Sequence, residues 1–203
     1  MNPIRIIVNP MGMCETHKFI RLVAIFLLVF SLLSCTKNGR IGDVMVMDDT
    51  RDVLVYARLQ NLLKADTEKL IYAGVTVTCT FCINFYQERP YWFDRRLSSQ
   101  VVRNVVKYDN IKKTIYVKTR FNEKEMETAE FRDVESAEAS LIDLNGVSVA
   151  NIGKLSKTGK YYVEIKAKVE KDEHSRFVQY ILLFLPFMET ETNWYRKEFV
   201  WKN

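Results

Sequence analysis

Residues 75–86 read Val-Thr-Val-Thr-Cys-Thr-Phe-Cys-Ile-Asn-Phe-Tyr. Val75, Val77, Cys79, Phe81, Ile83 and Phe85 alternate with Thr76, Thr78, Thr80, Cys82 and Asn84. Successive side chains of a strand point to opposite faces, so this period of two predicts a strand with one buried and one polar face. It is the longest such signal in the chain, and it is expected at the centre of a sheet. The same reading decides the chemistry of the Cys-x-x-Cys spacing. Residues three apart in a strand lie about 10 Å apart on opposite faces, beyond disulfide reach. A redox motif needs a turn into a helix, and a zinc site needs a second ligand pair. Cys79 is therefore expected in the core and Cys82 as an unpaired thiol, with no metal and no cofactor.

Upstream, Asp66 is placed to cap a short helix through Tyr72, and Gly74 to end it. Val44 and Val46, a turn-rich Asp48-Asp49-Thr50-Arg51-Asp52, and alternation at Val53, Val55, Ala57 and Leu59 predict a hairpin. Downstream, Gln87 to Arg96 reads QERPYWFDRR, where Pro90 excludes a central strand and predicts a loop or strand edge. Val101–Tyr108 and Thr114–Phe121 form a second predicted hairpin. The charged stretch Asn122–Asp133 is read as solvated.

Val134, Ala137, Leu141 and Leu144 follow at helical spacing, with Asp133 as N-cap and Gly146 as stop. Tyr161, Val163, Ile165, Ala167 and Val169 predict a strand with one wet face. Phe177–Leu185 fits a helix, or else a buried strand, and Tyr195, Phe199 and Trp201 mark a last strand. Short antiparallel strands with two or three short helices predict a mainly β chain, an antiparallel β-sandwich spanning residues 43–203 as a single domain.

The N-terminal residues bear on where the chain resides. His17, Lys18 and Arg21 precede an apolar run from Leu22 to Leu33, which ends in Leu32-Leu33-Ser34-Cys35. A spanning helix needs about 20 apolar residues, and this run is shorter, so residues 1–34 are read as a cleavable export signal. The Leu-Leu-Ser-Cys ending resembles the lipobox of bacterial lipoproteins, which implies an acylated Cys35. Residues 35–42 then form a polar tether. Thr36 in place of Asp after Cys35 points to the periplasmic face of the outer membrane. Without Arg5, Glu15, Lys18 and Arg21 of the signal, the net charge falls from +5 to +3. Such a mild, interspersed balance gives no ground for a nucleic-acid partner.

The run LIYAGVTVTCTFCINFYQERPYWFDRR (residues 70–96), followed by NVVKYDNIKKTIYV (residues 104–117), resembles the bacterial domain of unknown function 4390. Gly74, then Arg89, Trp92 and Asp94, then Tyr108 and Asp109 carry that resemblance. It implies an exported, mostly β domain and transfers no catalytic or binding residue.

His174 is the one histidine after the signal, in the polar stretch Lys-Asp-Glu-His-Ser-Arg. There is no Gly-x-Ser-x-Gly elbow, no His-Glu-x-x-His helix and no Gly-rich phosphate loop. The expected role is non-catalytic: a lipid-anchored envelope module binding a protein or glycan of the envelope, with the membrane reached through its own lipid. A periplasmic carrier of lipids or amphiphiles is the alternative, and an envelope hydrolase a further one. The candidate binding residues are Arg89, Tyr91, Trp92, Asp94, Arg95 and Arg96, because aromatics beside Arg are enriched at binding surfaces. The plainer reading, and the favoured one, is structural. In it Tyr91 and Phe93 cap one end of the sandwich, Trp92 packs inward, and Asp94 pairs with Arg89 or Arg95.

Overall fold

The protein's computed structural model describes residues 39–61, 64–171 and 190–200. The expected signal, Cys35, His174, the Phe177–Leu185 segment and Trp201 lie outside the described residues. The chain first forms β1 (Arg40–Asp49) and β2 (Asp52–Gln60), then helix α1 (Lys64–Tyr72). Four strands follow: β3 (Val77–Gln87), β4 (Arg95–Asp109), β5 (Thr114–Phe121) and β6 (Lys124–Phe131). Helix α2 (Val134–Ile142) leads into β7 (Asp143–Asn151), and a single 3-10 turn precedes β8 (Lys160–Lys171). The short β9 (Thr190–Glu191) and β10 (Tyr195–Val200) complete the described elements.

These strands make two antiparallel sheets. The larger runs β10-β8-β3-β4-β5-β6, with β9 also against β8, and the smaller runs β1-β2-β7. As its sequence predicts, β3 is central. All 11 of its residues pair with β8 on one side and with β4 on the other. Its odd-numbered residues from Val77 to Phe85 are fully buried and face Val163, Ile165, Ala167 and Val169 of β8 on the same side. The small sheet covers part of this inner face through β7, and α2 packs on β4 and β5. The architecture is thus mainly β, two antiparallel sheets enclosing one core, with two helices among the described residues.

Cys79 lies in that core and Cys82 on the outer face, half-buried, and both are free thiols. Burial pushes the Cys79 thiol pKa well up. We expect Cys82, but not Cys79, to react with maleimide in the native protein and both to react in denaturant. Mass spectrometry of labelled peptides checks this, and a Cys79–Cys82 linked peptide contradicts it.

Several local expectations need correction. Helix α1 starts at Lys64, so Asp66 lies inside it and is not its cap. Its end is as predicted. Gly74 adopts φ +79°, Gly74 N–H bonds to Ile71 O and Val75 N–H to Leu70 O, the pattern of a glycine-terminated helix. Asp133 does cap α2, accepting from Ser136 N–H at 2.7 Å. Gly146, however, does not stop α2. The helix ends at Ile142 and runs straight into β7, where Gly146 at φ +60° sits in a bulge opposite Tyr56. Residues 124–131 are solvated as expected, but they form an unexpected edge strand, β6. Its charged, exposed residues blunt an edge that would otherwise template pairing. Finally, β4 begins at Arg95, not Val101.

Candidate functional site

The hairpin between β3 and β4 projects residues 88–94 past the end of the large sheet. Pro90 fixes one corner of the turn, and Tyr91 follows with φ +66°. A bulky side chain rarely occupies that left-handed conformation, which favours Gly or Asn. Tyr91 is 102% exposed, Trp92 73% and Phe93 86%. Trp92 therefore does not pack inward, and Tyr91 and Phe93 do not cap the core. Three consecutive aromatics are presented to solvent on a strained turn.

The base of this tip is pinned. Asp94 accepts from Arg89 N–H at 3.2 Å and from the Tyr162 hydroxyl at 2.8 Å. Arg89 Nε donates to Phe93 O at 3.0 Å, and Glu88 N–H donates to Lys160 O at 2.9 Å. Tyr162 is buried and stacks on Tyr86 with ring centroids 5.1 Å apart and planes 14° apart. The Arg196 guanidinium lies 3.6 Å from the Tyr162 ring centroid and donates to Glu88 at 2.6 Å. Three neighbouring strands, β3, β8 and β10, thus hold one short loop. The Tyr162 hydroxyl bond, then the Arg89 N–H, holds the Asp94 carboxyl below its usual range. A lowered folded pKa means this pin contributes fully above the ordinary carboxyl range and is lost as pH falls through Asp94's own value.

The expected site residues divide. Arg89, Tyr91, Trp92 and Asp94 belong to the tip, with the Asp94 contact running to the Arg89 backbone and not to its side chain. Arg95 and Arg96 are strand residues, paired with Gln87 and Tyr86 respectively, and a bulge follows at Leu97. They occupy opposite faces of the sheet. Arg95 lines a groove of about 440 Å³ with Gln87, Asn151, Lys154, Ser156 and Tyr161. Sequence reasoning missed Tyr162, Arg196 and Glu88. One signal was available: Tyr162 is an aromatic on the face of β8 that otherwise carries Glu164, Lys166 and Lys168.

A second cavity, about 480 Å³, opens where α2 and β7 diverge from β5 and β6. Val102, Val117, Phe121, Met126 and Phe131 give it apolar walls. Among the described residues no group of three or more His, Cys, Asp or Glu side chains is placed to hold a metal. No described helix is long and apolar enough to cross a membrane.

A family model, the domain of unknown function DUF4390, matches residues 37–198. No curated protein and no solved structure matches.

Proposed function

The chain belongs to the DUF4390 family, and on that premise we propose a non-catalytic, lipid-anchored module of the cell envelope that docks on another envelope component. The observation that carries this reading is the exposure of Tyr91, Trp92 and Phe93 on a pinned tip. Burying a large aromatic is worth roughly 2–3 kcal/mol, and a strained φ costs on the order of 1–3 kcal/mol. A fold has nothing to gain by leaving three such residues in water on a strained turn, whereas a contact surface does. The Leu-Leu-Ser-Cys ending supports anchoring at Cys35, which labelled palmitate entering the chain but not its Cys35→Ala variant would test.

A photo-crosslinking residue replacing Phe93 in cells tests the docking. We expect adducts from position 93 and none from position 111, where Ile111 is 94% exposed on the β4–β5 turn. Absence of adducts at 93, or equal capture at 111, would falsify the reading. The apolar cavity beside α2 favours a second reading, a carrier of amphiphiles. There, displacement of a fluorescent fatty acid by Val117→Trp is the corresponding test.

A further inference from the structure

We infer that the envelope component met by the β3–β4 tip is the surface of an anionic lipid bilayer, with Tyr91, Trp92 and Phe93 seated at headgroup level. This rests on the docking reading above and names its partner. Three features select lipid over a folded protein. First, the aromatics are consecutive on a narrow convex turn. Trp and Tyr partition singly to the membrane interface, so a single aromatic turn suffices there without the broad surface, about 800 Å² per partner, that a stable protein interface takes.

Second, the acids of the tip are engaged from within. Glu88 is bound by Arg196, and Asp94 is bound by Tyr162 and Arg89 N–H. Third, cations lie on both sides of the pinned tip: Arg89 precedes the aromatics, and past Asp94 Arg95 shares its groove with Lys154 while Arg96 lies on the other face of the same strand. Basic residues beside an anionic leaflet contribute about 1 kcal/mol each.

The experiment uses the full chain in proteoliposomes and reads Trp92 emission. Brominated phosphatidylcholine, with or without phosphatidylglycerol, is placed either in the same liposomes or in separate vesicles added afterwards. Trp92→Phe removes the signal of interest while leaving Trp194 and Trp201 in place. We expect phosphatidylglycerol-dependent quenching in at least one arrangement, lost in Trp92→Phe. The Arg95→Ala, Arg96→Ala double variant should weaken binding to the anionic vesicles roughly 30-fold, as about 1 kcal/mol per Arg requires. Melting of both variants should match the parent, since the replaced side chains are exposed. Quenching that is absent in both arrangements, unchanged in Trp92→Phe, or equal without phosphatidylglycerol overturns the inference. If position 93 then still crosslinks to a protein or glycan, the docking reading stands and only its lipid partner is lost.

Discussion

Phe81→Ala is expected to lower the unfolding free energy by about 3–5 kcal/mol, the usual cost of removing a buried aromatic. Phe81 is fully buried at the middle of the central strand. Its cross-strand neighbours are Val102 on β4 and Ala167 on β8. Ala167 has only a methyl group, with no rotamer that could fill the space, and β4 and β8 both pair without a register break around Phe81. The cavity therefore stays open, and its lost contacts add to the lost transfer energy. Urea unfolding followed by circular dichroism measures the shift in midpoint at constant slope. Phe93→Ala is the matched control. Phe93 is 86% exposed, and its loss should change stability by less than about 0.5 kcal/mol. A large loss at Phe93, or a small one at Phe81, contradicts the placement of both rings.

The contrast between these two phenylalanines also shows where reading the sequence succeeds. Around Phe81 the period of two is carried by the residues themselves. Strand, buried face and the separation of Cys79 from Cys82 all follow from local alternation. The same holds for Val53–Leu59, for Tyr161–Val169, and for the cap at Asp133. Strand β6 was illegible because an edge strand pairs on one side only. Lys124, Glu125, Glu127 and Glu130 face water and mask the alternation of Ala129 and Phe131.

Strand β7 was hidden for another reason. Leu144 continues the helical spacing of α2 by one more position, so the switch of period has no loop to mark it. At the tip, composition drew attention to residues 89–96 but did not reveal that Trp92 points outward. That depends on Tyr162 and Arg196, which lie 68 or more residues away in sequence from Asp94 and Glu88. A pin made across three strands leaves no local pattern.

Asn104→Ala should cost about 3 kcal/mol, although it removes only one small polar side chain. Asn104 is 2% exposed on the core face of β4, between Val102 and Val106. Its Nδ2 donates to Ser140 O at 3.2 Å, Leu141 O at 3.1 Å and Asp143 O at 3.0 Å. Its Oδ1 accepts from the Thr119 hydroxyl at 3.1 Å. The last carbonyls of a helix have no partner within it. Because α2 passes into β7 without a glycine turn, a side chain from the neighbouring sheet serves as its C-terminal cap. Alanine leaves those carbonyls unmet, at about 1–3 kcal/mol for each that water cannot reach. The adjoining cavity, which Asn104 helps to line, admits some water and limits the total.

Asn104→Asp separates hydrogen bonding from packing, since the shape is kept. The new carboxylate would face carbonyl oxygens, so its folded pKa must lie above the ordinary value of about 4. A group raised on folding costs stability as pH rises from its unfolded value towards its folded one. Asn104→Asp should therefore approach the parent below about pH 4 and lose stability above it. Urea midpoints measured across that range provide the check. A pH-independent loss would mean that the amide's contacts to Ser140, Leu141 and Asp143 do not hold the end of α2.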